Sequence, residues 1–131
     1  MRISLGVSIA LCFVLLPGLA LAQNSPPVAD AGGDQTIFTF EGVTLYGSAT
    51  DPDGDPIVAW QWSLDSQPVG SYAVLAPTSS STPGFYADTV GDYIVSLVVF
   101  DGTDWSLPDT ITITVVENQP PVAVATADPV S

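Results

Sequence analysis

Three aspartates stand at alternating positions in one short stretch of the sequence, Asp51, Asp53 and Asp55. Carboxylate oxygens are the ligands that calcium prefers, and this spacing matches the first three ligand positions of a calcium-binding loop. Gly54 permits the sharp bend that such a loop needs, while the two neighbouring prolines restrict φ. These residue types therefore predict an ordered turn with calcium as its candidate ligand.

Two other interpretations of this turn exist. An EF-hand is excluded, because Trp62 stands where that loop places its last glutamate and strands flank the turn. A solvated turn, whose aspartates accept hydrogen bonds from local backbone N–H groups, is the alternative to a calcium site. The calcium site and the solvated turn both stay open, because each provides something to offset three neighbouring negative charges.

Alternating apolar residues predict β-strands around the turn. Val58, Trp60, Trp62 and Leu64 would share one face of the strand that comes directly after it. The same alternation recurs twice later in the chain, and no window shows a sustained helical period. About seven short strands separated by turn signals predict an all-β fold, an antiparallel β-sandwich.

The N-terminal segment marks the chain for export. Residues 1–22 combine Arg2, an apolar run and an A-x-A site before Gln23, which is the pattern of a cleaved signal peptide. The sole cysteine, Cys12, lies in this run, so no disulfide is expected in the exported domain. We therefore predict a secreted or cell-surface protein that is stabilised by its core or by bound ions.

The exported part is strongly acidic. Arg2 is the only basic residue of the 131, and all 14 acidic residues come after residue 22. The net charge after cleavage is therefore −14 (0 basic residues minus 14 acidic residues). Such a surface repels nucleic acid phosphates and anionic lipid head groups and attracts divalent cations. Nucleic acid partners and membrane insertion are therefore not expected.

The sequence lacks the residues of the common catalytic centres. It contains no histidine and, after residue 22, no cysteine, lysine or arginine. Nucleophilic triads, Schiff-base chemistry and imidazole-bound zinc are thereby excluded. A glycosidase needs two carboxyl groups across a cleft, whereas these acids cluster in turns. We predict that the protein is not an enzyme.

The aromatic residues have different predicted roles. Trp60 and Trp62 are expected in the core, because a buried tryptophan anchors this strand of a sandwich, with sugar stacking as the alternative. Trp105 stands in a turn, where it either packs over the end of the sandwich or offers a platform for a glycan or a partner. Tyr93, with Gly91 two residues earlier, is typical of a tyrosine corner.

The residues that alternate with Tyr93 form a second face of its strand. Ile94, Ser96, Val98 and Phe100 make this face unusually apolar for a surface. Either it contacts a neighbouring domain or another chain, or it consists of scattered exposed apolar residues, which are common.

One motif occurs twice. Residues 24–31 and 118–125 match at six of eight positions, with an offset of 94 residues (118 minus 24). An offset of this size equals one sandwich unit and predicts a tandem array. After the signal peptide we therefore predict a linker over 23–27, a domain over 28–117, and a linker with the start of a second, incomplete unit over 118–131.

An ordered set of short motifs characterises the chain. They are Pro26-Pro27-Val28-Ala29-Asp30-Ala31-Gly32, Gly47-Ser48 before the acidic turn, Trp62-Ser63-Leu64, Gly91-x-Tyr93-x-Val95-x-Leu97, and Asp109-Thr110-Ile111-Thr112-Ile113. Together they resemble the PKD (polycystic kidney disease) domain, an immunoglobulin-like family, over roughly residues 26–116. The similarity is nearest to the variety found in tandem in bacterial secreted and surface proteins. Ser63-Leu64-Asp65-Ser66 departs from the Asp-Phe-Gly-Asp-Gly run of the polycystin type.

The resemblance implies a non-catalytic module that acts as a spacer or adhesion domain and contacts neighbouring repeats, extracellular protein or polysaccharide. It also implies that calcium can bind near the loops and the N-terminal linker. A sandwich can bring the turn that holds Asp101 and Asp104 to the same end as the 51–55 turn, which makes Asp101 a fourth candidate ligand. The alternative function is a carbohydrate-binding accessory module of a secreted hydrolase, such as a protease or chitinase.

Overall fold

The computed structural model describes residues 21–123, and this part of the chain is built from β-strands. Nearly all of the predicted signal peptide, and the last eight residues, lie outside the described residues. The strands are β1 (Val28–Asp30), β2 (Gln35–Phe38), β3 (Gly42–Thr44), β4 (Ser48–Thr50), β5 (Ala59–Ser66), β6 (Val74–Ala76), β7 (Gly84–Tyr86), β8 (Gly91–Phe100) and β9 (Asp109–Val116). Residues 21–123 contain no helix with the length and apolarity to span a membrane.

The strands form the two layers of a sandwich. One layer is a four-stranded sheet in the order β2-β9-β8-β5, and the other contains the sheet β3-β7-β6 and the pair β1-β4. Every pairing is antiparallel except that of β2 with β9, which is parallel. The predicted all-β sandwich is confirmed, and β2 with β9 is the one parallel pair among the described strands.

The nine strands correspond to the roughly seven expected, because two long strands are interrupted. β1 and β2 are successive parts of the first strand, which bends at Gly32 (φ +90°) and then joins the opposite layer. β3 and β4 are parts of the second strand. Between them the N–H groups of Leu45 and Gly47 still donate to the carbonyl oxygens of Pro83 and Ser81, at 2.9 and 2.8 Å. The second layer is therefore continuous.

The core lies between the layers and is drawn from alternating strand positions. Its side chains with almost no exposed surface are Leu45, Trp62, Phe85, Tyr93, Val95, Leu97, Val99, Ile111, Ile113 and Val115. Burial of these side chains supplies the main driving force for folding. The whole core cluster lies between Ala29 and Val115, so the unit has a complete core of its own.

Strand β5 carries the predicted tryptophan face with one correction. Trp62 is 2 % exposed and Trp60 and Leu64 are partly buried against the core, which confirms their predicted position. Val58, expected on the same face, precedes β5 and is 59 % exposed. The Val58 N–H donates to the carbonyl oxygen of Phe100 at 2.8 Å. The backbone of Val58 is therefore bound to the sheet, although its side chain lies outside the core.

Tyr93 forms the predicted tyrosine corner. Its ring is fully buried and packs edge-on against Phe85, with ring centroids 5.4 Å apart. Its hydroxyl donates to the carbonyl oxygen of Thr89 at 2.8 Å and lies 2.8 Å from the Ser71 hydroxyl. The corner therefore ties the start of β8 to the loop before β6.

The second face of β8 is less exposed than its composition indicates. Ile94, Val98 and Phe100 are half-buried by neighbouring strands. Ser96 is buried, and its hydroxyl lies 2.8 Å from that of Ser63 on β5. Within the described residues this face is a moderately apolar sheet surface and not a large hydrophobic patch.

Candidate cation site at the acidic end

Two acidic turns meet at one end of the sandwich. The turn of residues 51–55 comes after β4, and the turn of residues 101–104 comes after β8. The linker residues Asn24 and Ser25 contact both turns. We call these two turns together the acidic end.

The 51–55 turn is ordered by its own aspartate. The Asp51 Oδ1 atom accepts hydrogen bonds from the backbone N–H groups of Asp53 and Asp55, at 2.8 and 3.1 Å. Gly54 has φ +82°, a conformation that favours glycine, and its N–H faces the Asp51 carbonyl oxygen at 3.2 Å. The turn thus contains the backbone capping that the solvated-turn interpretation predicts.

The second carboxylate oxygen of Asp51 is not satisfied by this capping. Asp51 Oδ2 is buried and has no hydrogen-bond donor among the described residues. Carboxylate oxygens of Asp51, Asp53 and Asp55 lie within 4.8 Å of one another. A buried acceptor without a donor is uncommon in native proteins and calls for a water or an ion. The donor set, three hard anionic oxygens, suits calcium.

The N-terminal linker is attached to both turns. The Ser25 N–H donates to Asp53 Oδ2 at 2.6 Å. The Asn24 side-chain amide donates to Asp101 Oδ2 and to Asp104 Oδ2, each at 2.9 Å. The partners of Asn24 lie 77 and 80 positions later in the sequence, and the partner of Ser25 lies 28 positions later. The acidic end therefore fixes the direction in which the chain enters the domain.

Asp101 has a different environment from the other three predicted ligands. It is buried, and its Oδ1 accepts the N–H groups of Thr103 and Asp104, each at 2.7 Å. The pKa of Asp101 is held below its usual value, mainly by the Asn24 amide and then by the Asp104 N–H, although burial opposes this. The structure thus brings three of the four candidate ligands into one cluster and places Asp101 beside it as an anchor for the linker.

The linker residues are the part of this site that sequence analysis missed. Asn24 and Ser25 lie in the predicted 23–27 linker, near which the resemblance implies calcium binding, but neither is among the residues predicted for the site. A signal existed, since the motif that begins at Asn24 is the one repeated at Asn118.

Trp105 lies near this end and is half exposed. Its ring stacks on Phe100 with centroids 4.9 Å apart and an angle of 25° between planes. Its backbone forms an isolated bridge with the same residue. One face of the indole is therefore covered, as expected for packing over the end of the sandwich, and 47 % of the side chain remains accessible.

Comparison with known proteins places the fold in a family. Residues 31–115 match the family model described as K319L-like, PKD domain. The human dyslexia-associated protein KIAA0319 is 34 % identical over 110 residues, which cover 82 % of this chain and 10 % of the relative. The chain thus spans about a tenth of the length of this curated relative.

Two solved structures resemble the sandwich. The solution structure of the PKD domain from the KIAA 1837 protein has a TM-score of 0.60 and 26 % identity, covering 79 % of this chain and 99 % of that domain. The human KIAA0319 PKD domain has a TM-score of 0.59 and 18 % identity, covering 80 % and 95 % respectively, and supports the fold alone.

The predicted resemblance to PKD domains is thereby confirmed. The predicted relation to the bacterial tandem variety is a separate matter, because the relative described above, KIAA0319, is a human protein. That relation stays a prediction. The family match covers most of the residues that form the sandwich. The chain belongs to the K319L-like PKD domain family.

Proposed function

We propose that this chain provides a non-catalytic extracellular module that acts as a spacer or adhesion domain within a larger protein. The observation that carries the proposal is the attachment of the linker residues Asn24 and Ser25 to the acidic end. A spacer must define the angle at which successive units are joined, and these hydrogen bonds define it at the entry side. Partners are neighbouring repeats and extracellular protein surfaces.

The residue inventory supports a role without catalysis. No histidine is present, and the exported part contains no cysteine, lysine or arginine, so the usual nucleophiles with their bases are missing. The acidic residues at the candidate site bind one another's backbone or the linker. Such contacts orient a chain segment, which is the task of a structural module.

We further propose that calcium completes the acidic end. Asp51, Asp53 and Asp55 would hold the ion, which would supply the missing partner of Asp51 Oδ2. A divalent cation would also offset repulsion among carboxylates that no basic side chain neutralises. Asp101 and Asp104 would contribute through Asn24, which they hold against the same end.

Thermal unfolding of residues 23–117 after chelation, with and without millimolar calcium, tests this site. An ion that binds only the folded state adds about 2.7 kcal/mol at a hundredfold excess over Kd, so Tm should rise by several degrees. Asp53→Ala and the isosteric Asp51→Asn should abolish the rise. Asp65→Ala, an exposed aspartate on β5, is the matched control.

Sodium chloride at equal ionic strength separates site binding from general screening. A calcium effect equal to that of sodium, or one that survives Asp53→Ala, would show that the turn is only solvated. The spacer role would then rest on the linker hydrogen bonds alone.

A carbohydrate-binding accessory role is the second candidate. It is favoured by one observation, the accessible face of the Trp105 indole, which is stacked on Phe100 and so held rigidly. Aromatic side chains provide large contact area with little loss of conformational freedom. Polysaccharide binding by the wild-type domain and by a Trp105→Ala variant distinguishes the two roles.

A further inference from the structure

The side chain of Asn24 is held by two carboxylates at once. Its Nδ2 atom donates to Asp101 Oδ2 and to Asp104 Oδ2, each at 2.9 Å, and the residue is half-buried. Both contacts use the hydrogens of one amide nitrogen, and hydrogen bonds to charged acceptors are stronger than neutral ones. The attachment of the linker at this point therefore depends on residue 24 remaining an amide.

Asparagine is also a chemically labile residue. The backbone nitrogen of the next residue, here Ser25, can attack Asn24 Cγ and close a succinimide ring. The new bond joins Ser25 N to Cγ, the Cγ–Nδ2 bond breaks, and Nδ2 leaves as ammonia with the proton of the Ser25 N–H. Water then opens the ring, which leaves an aspartate or an isoaspartate at position 24. The net reaction exchanges the amide nitrogen for an oxygen of water.

The product of this reaction is incompatible with the observed contacts. A carboxylate at position 24 has no hydrogen to donate at neutral pH. It would also bring a third negative charge close to Asp101 and Asp104, and like charges at such distances repel one another. Residues 23–131 contain no lysine, arginine or histidine that could offset this charge. Deamidation would therefore turn an attractive contact into a repulsive one.

The folded acidic end opposes the attack on Asn24. The nucleophile is the Ser25 nitrogen, and its N–H donates to Asp53 Oδ2 at 2.6 Å. A hydrogen bond to an anion disfavours loss of this proton, which the attack requires. Departure of Nδ2 as ammonia also requires that its hydrogen bonds to Asp101 and Asp104 be given up. The reaction should therefore proceed from molecules in which the linker has opened locally.

We propose that Asn24 is a deamidation site, that the acidic end keeps its reaction slow while the linker is bound, and that the reaction permanently detaches the linker. The linker then has an attached form and an irreversibly released form, and local opening is the step that connects them. This inference goes beyond the proposed function, because it concerns the chemistry of Asn24 and holds whether or not the chain acts as a spacer.

The chain provides an internal reference for the reaction rate. Asn118 is the only other asparagine in the sequence, and it is exposed and lies after the last strand. Gln119→Ser gives it the same following residue as Asn24, so that both sites then read Asn-Ser-Pro-Pro. In a protein of residues 23–123 with this substitution, mass spectrometry of proteolytic fragments measures ammonia loss at each asparagine during incubation at neutral pH.

In the folded protein, Asn24 should react at least about tenfold more slowly than Asn118, because opening breaks at least one hydrogen bond to a charged group. In concentrated urea the two rates should become equal. Asp53→Ala should raise the rate at Asn24 alone, whereas Asp65→Ala, an exposed aspartate on β5, should change neither rate. Equal rates at the two asparagines in the folded protein, or an Asn24 rate that Asp53→Ala leaves unchanged, would overturn the proposed protection.

Asn24→Asp produces the released form directly. Hydrogen exchange of the Ser25 amide reports linker attachment, because this N–H donates to Asp53. Its protection should be lost in Asn24→Asp, measured with chelator so that no divalent cation bridges the carboxylates. The Ala31 amide, which donates to Asp109 Oδ2 at 2.7 Å, is the control and should stay protected.

The deamidated fraction of aged wild-type protein, separated by its additional negative charge, allows the same measurement without a substitution. Ser25 protection that equals that of the unmodified protein would overturn the proposed release. Loss of protection at Ala31 as well would show that deamidation unfolds the domain, and it would overturn a release confined to the linker.

Discussion

The Nδ2 atom of Asn24 lies 2.9 Å from Oδ2 of Asp101, so a residue of the entering linker is bound to a turn 77 positions later. The same nitrogen donates to Asp104 at the same distance. This one amide takes, at the acidic end, the place of a basic side chain, which residues 23–131 lack. The linker is consequently part of the domain and not an appendage.

Asn24→Ala should reduce the dependence of stability on acid pH. Because the pKa of Asp101 is lowered in the folded state from an ordinary value of 3.8, the unfolded state binds protons first on acidification. The Asp101 carboxylate therefore stabilises the fold at pH values above its pKa in the unfolded state. This stabilisation is lost as the pH falls through the pKa of Asp101 in the folded state. Asn24→Ala removes the largest cause of the shift, so it should destabilise at neutral pH and differ less from wild type at pH about 3.

Urea unfolding at the two pH values measures this difference. Asn118→Ala changes the corresponding exposed asparagine of the second motif and serves as the control in a protein of residues 23–131. An equal gap between Asn24→Ala and wild type at both pH values would show that the amide does not act through Asp101.

Tyr93→Phe should destabilise the domain by about 1–3 kcal/mol. The change keeps the buried ring and its edge-on contact with Phe85 but leaves the Thr89 carbonyl oxygen without its donor. Urea unfolding measures the loss, and Tyr72→Phe, whose hydroxyl belongs to an exposed side chain, should be neutral. A neutral Tyr93→Phe would mean that water readily replaces the corner hydrogen bond.

Gly47→Ala should destabilise the domain by about 1–3 kcal/mol through overpacking. A Cβ at this position would lie 2.7 Å from the Trp62 ring and 2.9 Å from Leu97 Cδ2, with the Ser81 carbonyl oxygen at 3.2 Å. Trp62 would have to shift, so its fluorescence should change along with the unfolding midpoint. Gly33→Ala, where nothing lies within 4 Å of the added carbon, is the control.

Trp105→Ala should lower the free energy of unfolding, because it removes both buried apolar surface and the stack on Phe100. Loss of the stack should contribute about 0.5–1.5 kcal/mol in addition to the contribution of the lost apolar burial. Trp105→Phe should recover part of that loss. Polysaccharide pull-down with the same variants addresses the accessory function: binding that Trp105→Ala abolishes would support it, and binding unchanged by the substitution would remove Trp105 as the platform.

Much of the fold was predictable from local patterns. Alternation of apolar residues identified β5, β8 and β9, and with them the buried positions of Trp62 and Tyr93. Such patterns are reliable because successive strand side chains point to opposite faces. The turn chemistry of Asp51, with its bend at Gly54, was equally local and equally readable.

Other features depended on which distant segments meet. The first strand crosses to the opposite layer, and this crossing produced the parallel pairing of β2 with β9. The side chain of Val58 is exposed, although Trp62 on the same predicted face is buried. Neither outcome is encoded by residues two positions apart. Both result from how the chain closes the ends of the sandwich.

The sequence by itself determined an all-β domain with a cluster of carboxylates in one turn, because strand periodicity and turn residues act over a few positions. Its ordered motifs also carried the resemblance to PKD domains. Only the tertiary structure decided that Asn24 and Ser25 join the turns 51–55 and 101–104, that Asp51 Oδ2 lacks a partner among the described residues, and that Phe40 is strained and exposed. These depend on long-range contacts and on the exclusion of water, which a linear pattern does not contain.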